Sequence, residues 1–221
     1  LTGIAPSEII DVFGADAFRY YFMRAVSFGH DGSFSWEDLA ARYQAELANG
    51  FGNLASRVLA MNVKYFDGVV PAAGEETEAD AAIRELVARA AATADEKIEA
   101  LAIHEAIAAV WEVVDALNGY ITEQEPWVLS KSDETRERLG TVLYTATEGL
   151  RALAELLSPV VPEATAKLWL ALGAQEALGE LSVAGVPLLD RREHSPRAAG
   201  LLGALLPLGA HPGGALLHGG A

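Results

Sequence analysis

Two polar side chains that could act together lie one helical turn apart in the segment 49–66. Asn53 carries an amide and Arg57 a guanidinium, and a spacing of four residues places both on one face of a helix. Together these groups could hydrogen-bond to one planar partner. A solvated helix face shows the same spacing, so the two residues alone leave both interpretations open.

The same segment carries a complete apolar face. Residues at steps of three or four form it: Leu47, Phe51, Leu54, Val58, Met61 and Tyr65. Ser35 and Asp38 form a capping-box pattern ahead of this face, so we predict one long helix over about 36–66. Gly50 and Gly52 each cost this helix roughly 1 kcal/mol relative to alanine, which indicates that something approaches the backbone closely there.

A tryptophan follows a helix-breaking sequence later in the chain. Pro126 cannot continue the hydrogen-bond ladder of a helix and disfavours helix at Glu125, so Trp127 lies at a bend. The residues alone favour an indole that closes one end of a helix bundle, because tryptophan is seldom left exposed.

The rest of the chain is predicted to form amphipathic helices with short connections. An acidic helix over about 78–100 has a narrow apolar stripe formed by Ile83, Val87, Ala91, Ala94, Ile98 and Leu101. The next two helices, over about 103–122 and 132–157, have the inward positions Ile107, Val110, Trp111, Val114, Leu117, Ile121, Leu139, Val142, Leu143, Ala146, Leu150, Leu153 and Leu157. Ser7 is predicted to cap a short first helix, and Pro162 to begin the last one. Short connections favour antiparallel neighbours, so we predict an all-α antiparallel helix bundle.

The charge of the chain limits its partners. The net charge is −15, and residues 75–115 hold 11 Asp or Glu against 3 Lys or Arg. A general nucleic-acid binder has a basic footprint, so this balance argues against broad tracking of phosphates, and we expect no DNA partner. Recognition of a few exposed bases by stacking and hydrogen bonds needs few cations and stays possible.

Several other classes of protein and site are excluded by composition. The chain has no cysteine, which excludes a thiolate metal site and a cysteine nucleophile and fits a reducing compartment, so we expect a cytoplasmic protein. No apolar run approaches the length of a membrane span, and we expect no signal peptide. None of the five histidines has a glutamate three residues before it, which argues against a di-metal bundle.

Three stretches together resemble the methionyl-tRNA synthetase family, the class I methionine–tRNA ligases, in its C-terminal anticodon-binding domain. They are Phe13 to Ser35, Asn49 to Pro71 and Asn118 to Trp127. The second contains Gly-Asn-Leu-Ala-Ser-Arg and Lys-Tyr-Phe-Asp-Gly-Val-Val-Pro, and the third contains Asn-Gly-Tyr-Ile followed by Pro-Trp. These motifs keep the order and separation of the family over about residues 2–175.

The resemblance implies a function and the residues that perform it. In that family the helical domain recognises the CAU anticodon of methionine tRNA, so Asn53 and Arg57 are expected to hydrogen-bond base edges while Trp127 stacks on an unstacked anticodon base. It implies no catalytic and no metal-binding residue in this chain. The implied partners are the anticodon loop of methionine tRNA and the catalytic domain of the same protein.

The resemblance also implies a division of the chain. The family's catalytic domain, with its His-Ile-Gly-His-like and Lys-Met-Ser-Lys-Ser motifs, would precede Leu1. We therefore expect a connector to that domain over 1–35, the anticodon-binding domain over 36–175, and a divergent, poorly ordered tail over 176–221. The complete protein would be a ligase that attaches methionine to tRNA using ATP with magnesium, whereas this chain should need no cofactor and be inactive alone.

Two alternatives stay open at this point. The chain could be a helical protein-interaction module whose polar stripe docks a partner helix. It could also be the anticodon domain of another class I synthetase for an aliphatic amino acid, although the pair Pro126-Trp127 disfavours that assignment.

Overall fold

The computed structural model describes residues 4–29 and 31–173, which form helices and no β-strand. The helices are α1 (Pro6–Phe13), α2 (Ala15–Ala25), α3 (Trp36–Arg42), α4 (Asn53–Phe66), α5 (Glu78–Glu99), α6 (Ile103–Gln124), α7 (Pro126–Leu129), α8 (Arg136–Leu157) and α9 (Pro162–Ala171). A π-helical segment (Tyr43–Gly52) joins α3 to α4. The predicted all-α helix bundle is confirmed, while the predicted tail over 176–221 lies outside the described residues.

Helix α8 lies at the centre of the bundle. It packs against α4, α5, α6, α7 and α9, and α5 and α6 form a long hairpin on one side of it. All the inward positions predicted for α6 and α8 are buried, and Leu150, Leu153 and Leu157 have no exposed surface. The periodicity therefore identified the core-facing positions of these two helices correctly.

The predicted long helix is continuous but not uniform. Its middle is π-helical, so the N–H of Asn53 donates to the carbonyl of Ala48, five residues earlier. The Asn118 amide of α6 donates to the carbonyl of Gly50 at 3.3 Å. A Cβ on Gly50 would lie 3.7 Å from Val114, which is ordinary van der Waals contact, so the neighbour expected near this glycine is α6.

A second, smaller aromatic cluster holds the first part of the chain. Its buried members are Ile9, Tyr21 and Leu39, and five aromatic rings pack against them: Phe13, Phe18, Phe22, Phe34 and Trp36. Asp16 of α2 accepts hydrogen bonds from the backbone N–H groups of Glu163 and Ala164 at 3.2 and 2.7 Å. The α2 segment thereby caps the N-terminus of α9, where a carboxylate is favourable.

Two local predictions are wrong. Ser7 does not cap α1, because Ala5 precedes the helix and Pro6 occupies its first turn. Ile98 and Leu101 are 52% and 54% exposed, because the apolar stripe of α5 continues past the end of the core into the turn before α6.

Two helical glycines provide a matched test of packing at the centre of the bundle. A Cβ on Gly149 of α8 would lie 2.7 Å from Leu117, whereas a Cβ on Gly119 of α6 would meet nothing within 4 Å. We expect Gly149→Ala to lower the free energy of unfolding by about 1–3 kcal/mol through overpacking. Gly119→Ala should raise it by about 0.5–1 kcal/mol, because alanine loses less backbone entropy than glycine.

Urea unfolding of the two variants measures this difference directly. A stabilisation of similar size at both positions would contradict the close contact between α6 and α8.

Candidate nucleic-acid interface

The polar stripe predicted on the long helix faces solvent. Asn53 is exposed and Arg57 is half-buried, whereas their neighbours Leu54 and Val58 have no exposed surface. This division follows from the helical period, which sends the apolar positions into the core and leaves the four-residue polar series outside. Asn53 and Arg57 are therefore available to a partner from the first two turns of α4.

Trp127 lies on the four-residue helix α7 and is 39% exposed. Pro126 before it is buried, and Val128 after it is 44% exposed. Glu125 enters this turn with φ 44° and ψ 58°, a left-handed conformation that a non-glycine residue adopts only at a cost. The expectation that Trp127 closes the bundle end is not met, because a large part of the residue stays accessible.

The contacts that α4 and α6 make with α8 show the direction of these two helices relative to α8. Asn62 of α4 donates to Thr147 at 2.9 Å, and Arg136 at the start of α8 donates to the carbonyl of Tyr65 near the end of α4 at 3.3 Å. The end of α6 likewise meets the start of α8. Both α4 and α6 are thus antiparallel to α8, and they run parallel to each other.

Two contacts connect the segments that carry the three candidate residues. The Asn118 amide of α6 donates to the carbonyl of Gly50, three residues before Asn53. Arg136 of α8, which follows the Trp127 turn, donates to the carbonyl of Tyr65 near the end of α4. The segment 49–66, which carries Asn53 and Arg57, thus contacts both helices that flank the Trp127 turn.

Four cations on the segment 49–66 and around the Trp127 turn lack an ion pair within the described residues. Arg57, Lys64, Lys131 and Arg136 make no ion pair with a carboxylate within residues 4–29 and 31–173. Six other cations of the described chain do form such pairs, namely Arg42, Arg84, Arg89, Lys97, Arg138 and Arg151, whereas Arg19, Arg24 and Lys167 do not. The Arg136 guanidinium instead lies 4.8 Å from the centre of the Phe66 ring, a cation–π contact that holds it in place.

A buried polar network joins α5, α6 and α8 beside the Trp127 turn. Asp80 is 1% exposed and accepts hydrogen bonds from the Tyr120 hydroxyl and from both terminal nitrogens of Arg138. It also accepts from the backbone N–H and the hydroxyl of Thr77, at 2.7 and 2.8 Å. Arg138 Nη2 donates in addition to Gln124 Oε1 at 2.5 Å. The last turn of α6 is thus tied to both neighbouring helices.

The network keeps Asp80 charged. Burial on its own would raise the pKa of the Asp80 carboxyl, but hydrogen bonds from Arg138, Tyr120 and Thr77 outweigh it and lower the pKa to about 2. Burial and the adjacent Asp80 raise the pKa of the Tyr120 hydroxyl, which therefore remains a donor. The ion pair is accordingly intact across the neutral pH range.

The sequence interpretation missed this network, although one signal for it was present. Thr77 and Asp80 have the spacing of a capping box, and the structure forms it. Asp80 also lies at the helical spacing of the apolar positions Ile83 and Val87, where a charge is unusual. No spacing in the sequence could identify Arg138 as its partner, because the pair bridges separate helices.

The described residues provide neither a metal site nor a membrane span. No group of three His, Asp or Glu side chains within 4–29 and 31–173 is arranged to hold a metal ion. Over the same residues, every helix is too short or too polar to cross a lipid bilayer.

Comparison with known proteins gives two family matches along the chain. A family described as "tRNA synthetases class I (M)" matches residues 1–59. A second, described as "Anticodon binding domain of methionyl tRNA ligase", matches residues 70–183, which is more than half of the chain.

Individual relatives agree with these matches. The chain is 54% identical to the methionine–tRNA ligase of Streptomyces coelicolor over 185 residues, covering 82% of this chain and 34% of that protein. It is 41% identical to that of Caldanaerobacter subterraneus, covering 79% of this chain and 27% of that protein. The apo structure of Mycobacterium tuberculosis methionyl-tRNA synthetase superposes with a TM-score of 0.80 at 35% identity, covering 88% of this chain and 38% of that one. The chain thus spans about a third of the length of the curated relatives it matches.

The Asp80 network makes a pH-dependent contribution to stability. Because the pKa of Asp80 lies below its ordinary value of 3.8 in the folded chain, this contribution is complete above that value and is lost as the pH falls towards 2. We expect Asp80→Asn to lower the free energy of unfolding by about 2–3 kcal/mol at pH 7. The difference from the unmodified chain should shrink between pH 5 and pH 2.

Urea unfolding across this pH range measures the difference, and Asp95→Asn on the exposed face of the same helix serves as the control. A difference between the unmodified chain and Asp80→Asn that stays constant with pH would contradict the role of the ionised carboxylate.

Proposed function

Because the chain belongs to the methionyl-tRNA synthetase family, in its anticodon-binding domain, we propose that it recognises the CAU anticodon of methionine tRNA. The exposure of Trp127, on the turn between two helices that both contact the segment 49–66 of Asn53 and Arg57, carries this proposal. An RNA loop presents splayed bases, and these need one stacking surface and a small set of edge contacts.

Trp127 supplies the stacking surface in this proposal. Stacking of a base on an aromatic side chain is worth about 1–3 kcal/mol and requires an accessible ring face. Trp127 is 39% exposed and so has surface available for such a contact, whereas the neighbouring Pro126 is buried and anchors the turn.

Asn53 and Arg57 supply the sequence-dependent contacts. An amide presents a donor and an acceptor side by side, and a guanidinium presents two parallel donors, so each can pair with two atoms of one base edge. Their spacing of one turn on α4 suits neighbouring bases of a loop that lies along the helix.

The cations on the segment 49–66 and around the Trp127 turn support contacts with RNA phosphates. Arg57, Lys64, Lys131 and Arg136 are available to phosphates because no carboxylate of the described chain neutralises them by an ion pair. The exposed acidic face of α5 would repel an RNA backbone.

The activity of the complete protein follows from the same proposal. We propose that the whole enzyme is a cytoplasmic ligase that attaches methionine to its tRNA with ATP and magnesium, and that a separate catalytic domain performs this chemistry. Residues 1–59 match the class I synthetase family, so this part of the chain is proposed to connect with that domain. The chain alone contributes recognition and should be inactive in aminoacylation. Binding energy at the anticodon would then position the distant acceptor end.

Trp127→Ala tests the stacking role. In a full-length ligase carrying this sequence, we expect kcat/KM for methionine tRNA to fall by about 10- to 100-fold, the loss of one stacked base. Methionine activation by ATP should stay unchanged, and Trp127→Phe should retain most of the charging activity because it keeps a ring. Equal loss of both activities in Trp127→Ala would overturn the assignment.

Arg57→Gln tests the edge contact. We expect it to reduce the preference for methionine tRNA over an anticodon-altered tRNA by about 10-fold or more, since a bidentate pair is worth roughly 1–3 kcal/mol of discrimination. Filter binding or charging of the two tRNAs measures this preference, with Arg89→Gln, an exposed arginine on α5, as the matched control.

The same comparison separates the proposed function from a protein-interaction module, because a module would bind both tRNAs equally. A large loss of thermal stability in Arg57→Gln would instead indicate a structural role for this arginine.

A further inference from the structure

The orientation of Trp127 needs an explanation beyond the helix that carries it. Helix α7 has four residues, and a helix of this length has no stability of its own. On its C-terminal side, the Thr135 hydroxyl donates to the carbonyl of Leu129 at 2.6 Å. On its N-terminal side stands Glu125 in a left-handed conformation, which the surrounding contacts must hold.

Gln124 lies immediately before that strained residue and is tied to the network of Asp80. Its Oε1 atom accepts from Arg138 Nη2 at 2.5 Å, while the same guanidinium spans both oxygens of Asp80. A planar fork can satisfy a carboxylate and a third acceptor together, which a lysine ammonium on a flexible stem cannot do in one fixed plane. The residue before the turn is thereby held by α8 and, through Asp80, by α5.

We propose that Arg138, acting through Gln124, is a positioning residue that orients Trp127 for stacking on the anticodon. This inference rests on the proposed function of Trp127. Neither Arg138 nor Gln124 needs to touch RNA, because each acts on the geometry of the turn. The ionised network is fixed in the core. Its hydrogen bond to Gln124 holds the residue before the Trp127 turn in a fixed position relative to the core.

Two substitutions separate this role from general stability. Arg138→Lys keeps a cation beside the buried Asp80 but loses the second donor for Gln124, and Gln124→Ala removes the acceptor and leaves the ion pair in place. In a full-length ligase carrying this sequence, we expect each to raise KM for methionine tRNA on the order of fivefold, the effect of one hydrogen bond. Methionine activation and kcat should change little.

A double-variant cycle tests whether the two residues act as one unit. If Arg138 acts through Gln124, the double variant should be no worse than the more impaired single variant. Arg89→Lys, the same change at an exposed ion pair with Glu85, should leave KM unchanged. Additive effects of the two substitutions would overturn the shared role.

Fluorine NMR of protein labelled with 5-fluorotryptophan reports the position of the ring directly. The resonance that disappears in Trp127→Phe identifies Trp127, and it should shift in both Gln124→Ala and Arg138→Lys. The buried Trp111 serves as an internal reference and should not move. A shift of Trp111 as well would mean a general structural change and would overturn the positioning role.

The outcomes also distinguish this inference from the proposed function. If Trp127→Ala impairs charging while Gln124→Ala shows an unchanged KM and an unchanged Trp127 resonance, the inference fails and the proposed function stands. If Trp127→Ala charges methionine tRNA normally, the proposed function fails, and this inference fails with it.

Discussion

The bundle depends on the burial of α8. This helix contacts α4, α5, α6, α7 and α9, and none of its residues from 139 to 157 is exposed, so its small residues matter as much as its leucines. Gly140 and Gly149 let neighbouring segments approach the α8 backbone, and Leu117 of α6 fills the space over Gly149. Polar side chains inside this helix are compensated, as where Arg151 pairs with Glu148 at 3.2 Å. Every surrounding helix is therefore placed relative to one rigid element.

Two segments of the candidate interface are held in place by contacts with α8. Helix α4 is tied to α8 through the buried amide of Asn62, and the end of α6 is tied to α8 through Arg138. The surface of Asn53 and Arg57 and the turn of Trp127 belong to separate segments, yet both are fixed to the same central helix. Their relative position is then set by side chains that lie in the core and outside the interface itself.

The parts of this arrangement that repeat along a helix could be predicted from the sequence, and the parts that bridge helices could not. The period of 3.6 residues locates the core positions of α6 and α8 and the exposed side of α4, because burial follows that period. It fails for Ile98, since a period does not show where the core ends, and it cannot reveal the π-helical hydrogen bonds before Asn53. The proposed role of Trp127 rests on resemblance, and the pairing of Asp80 with Arg138 has no signature in spacing.

Under the proposed function, a strongly acidic chain would not gain its affinity for RNA mainly from phosphates. Its net charge of −15 opposes the approach of a polyanion, so discrimination in the proposed complex would come from stacking and from hydrogen bonds to base edges. Both interactions weaken steeply when a ring or a donor is displaced, whereas a phosphate contact tolerates movement. An interface of this kind therefore requires a fixed ring more than a basic surface. The buried ion pair beside the Trp127 turn would meet that requirement, because Asp80 stays ionised at neutral pH and salt screens a buried pair less than an exposed one.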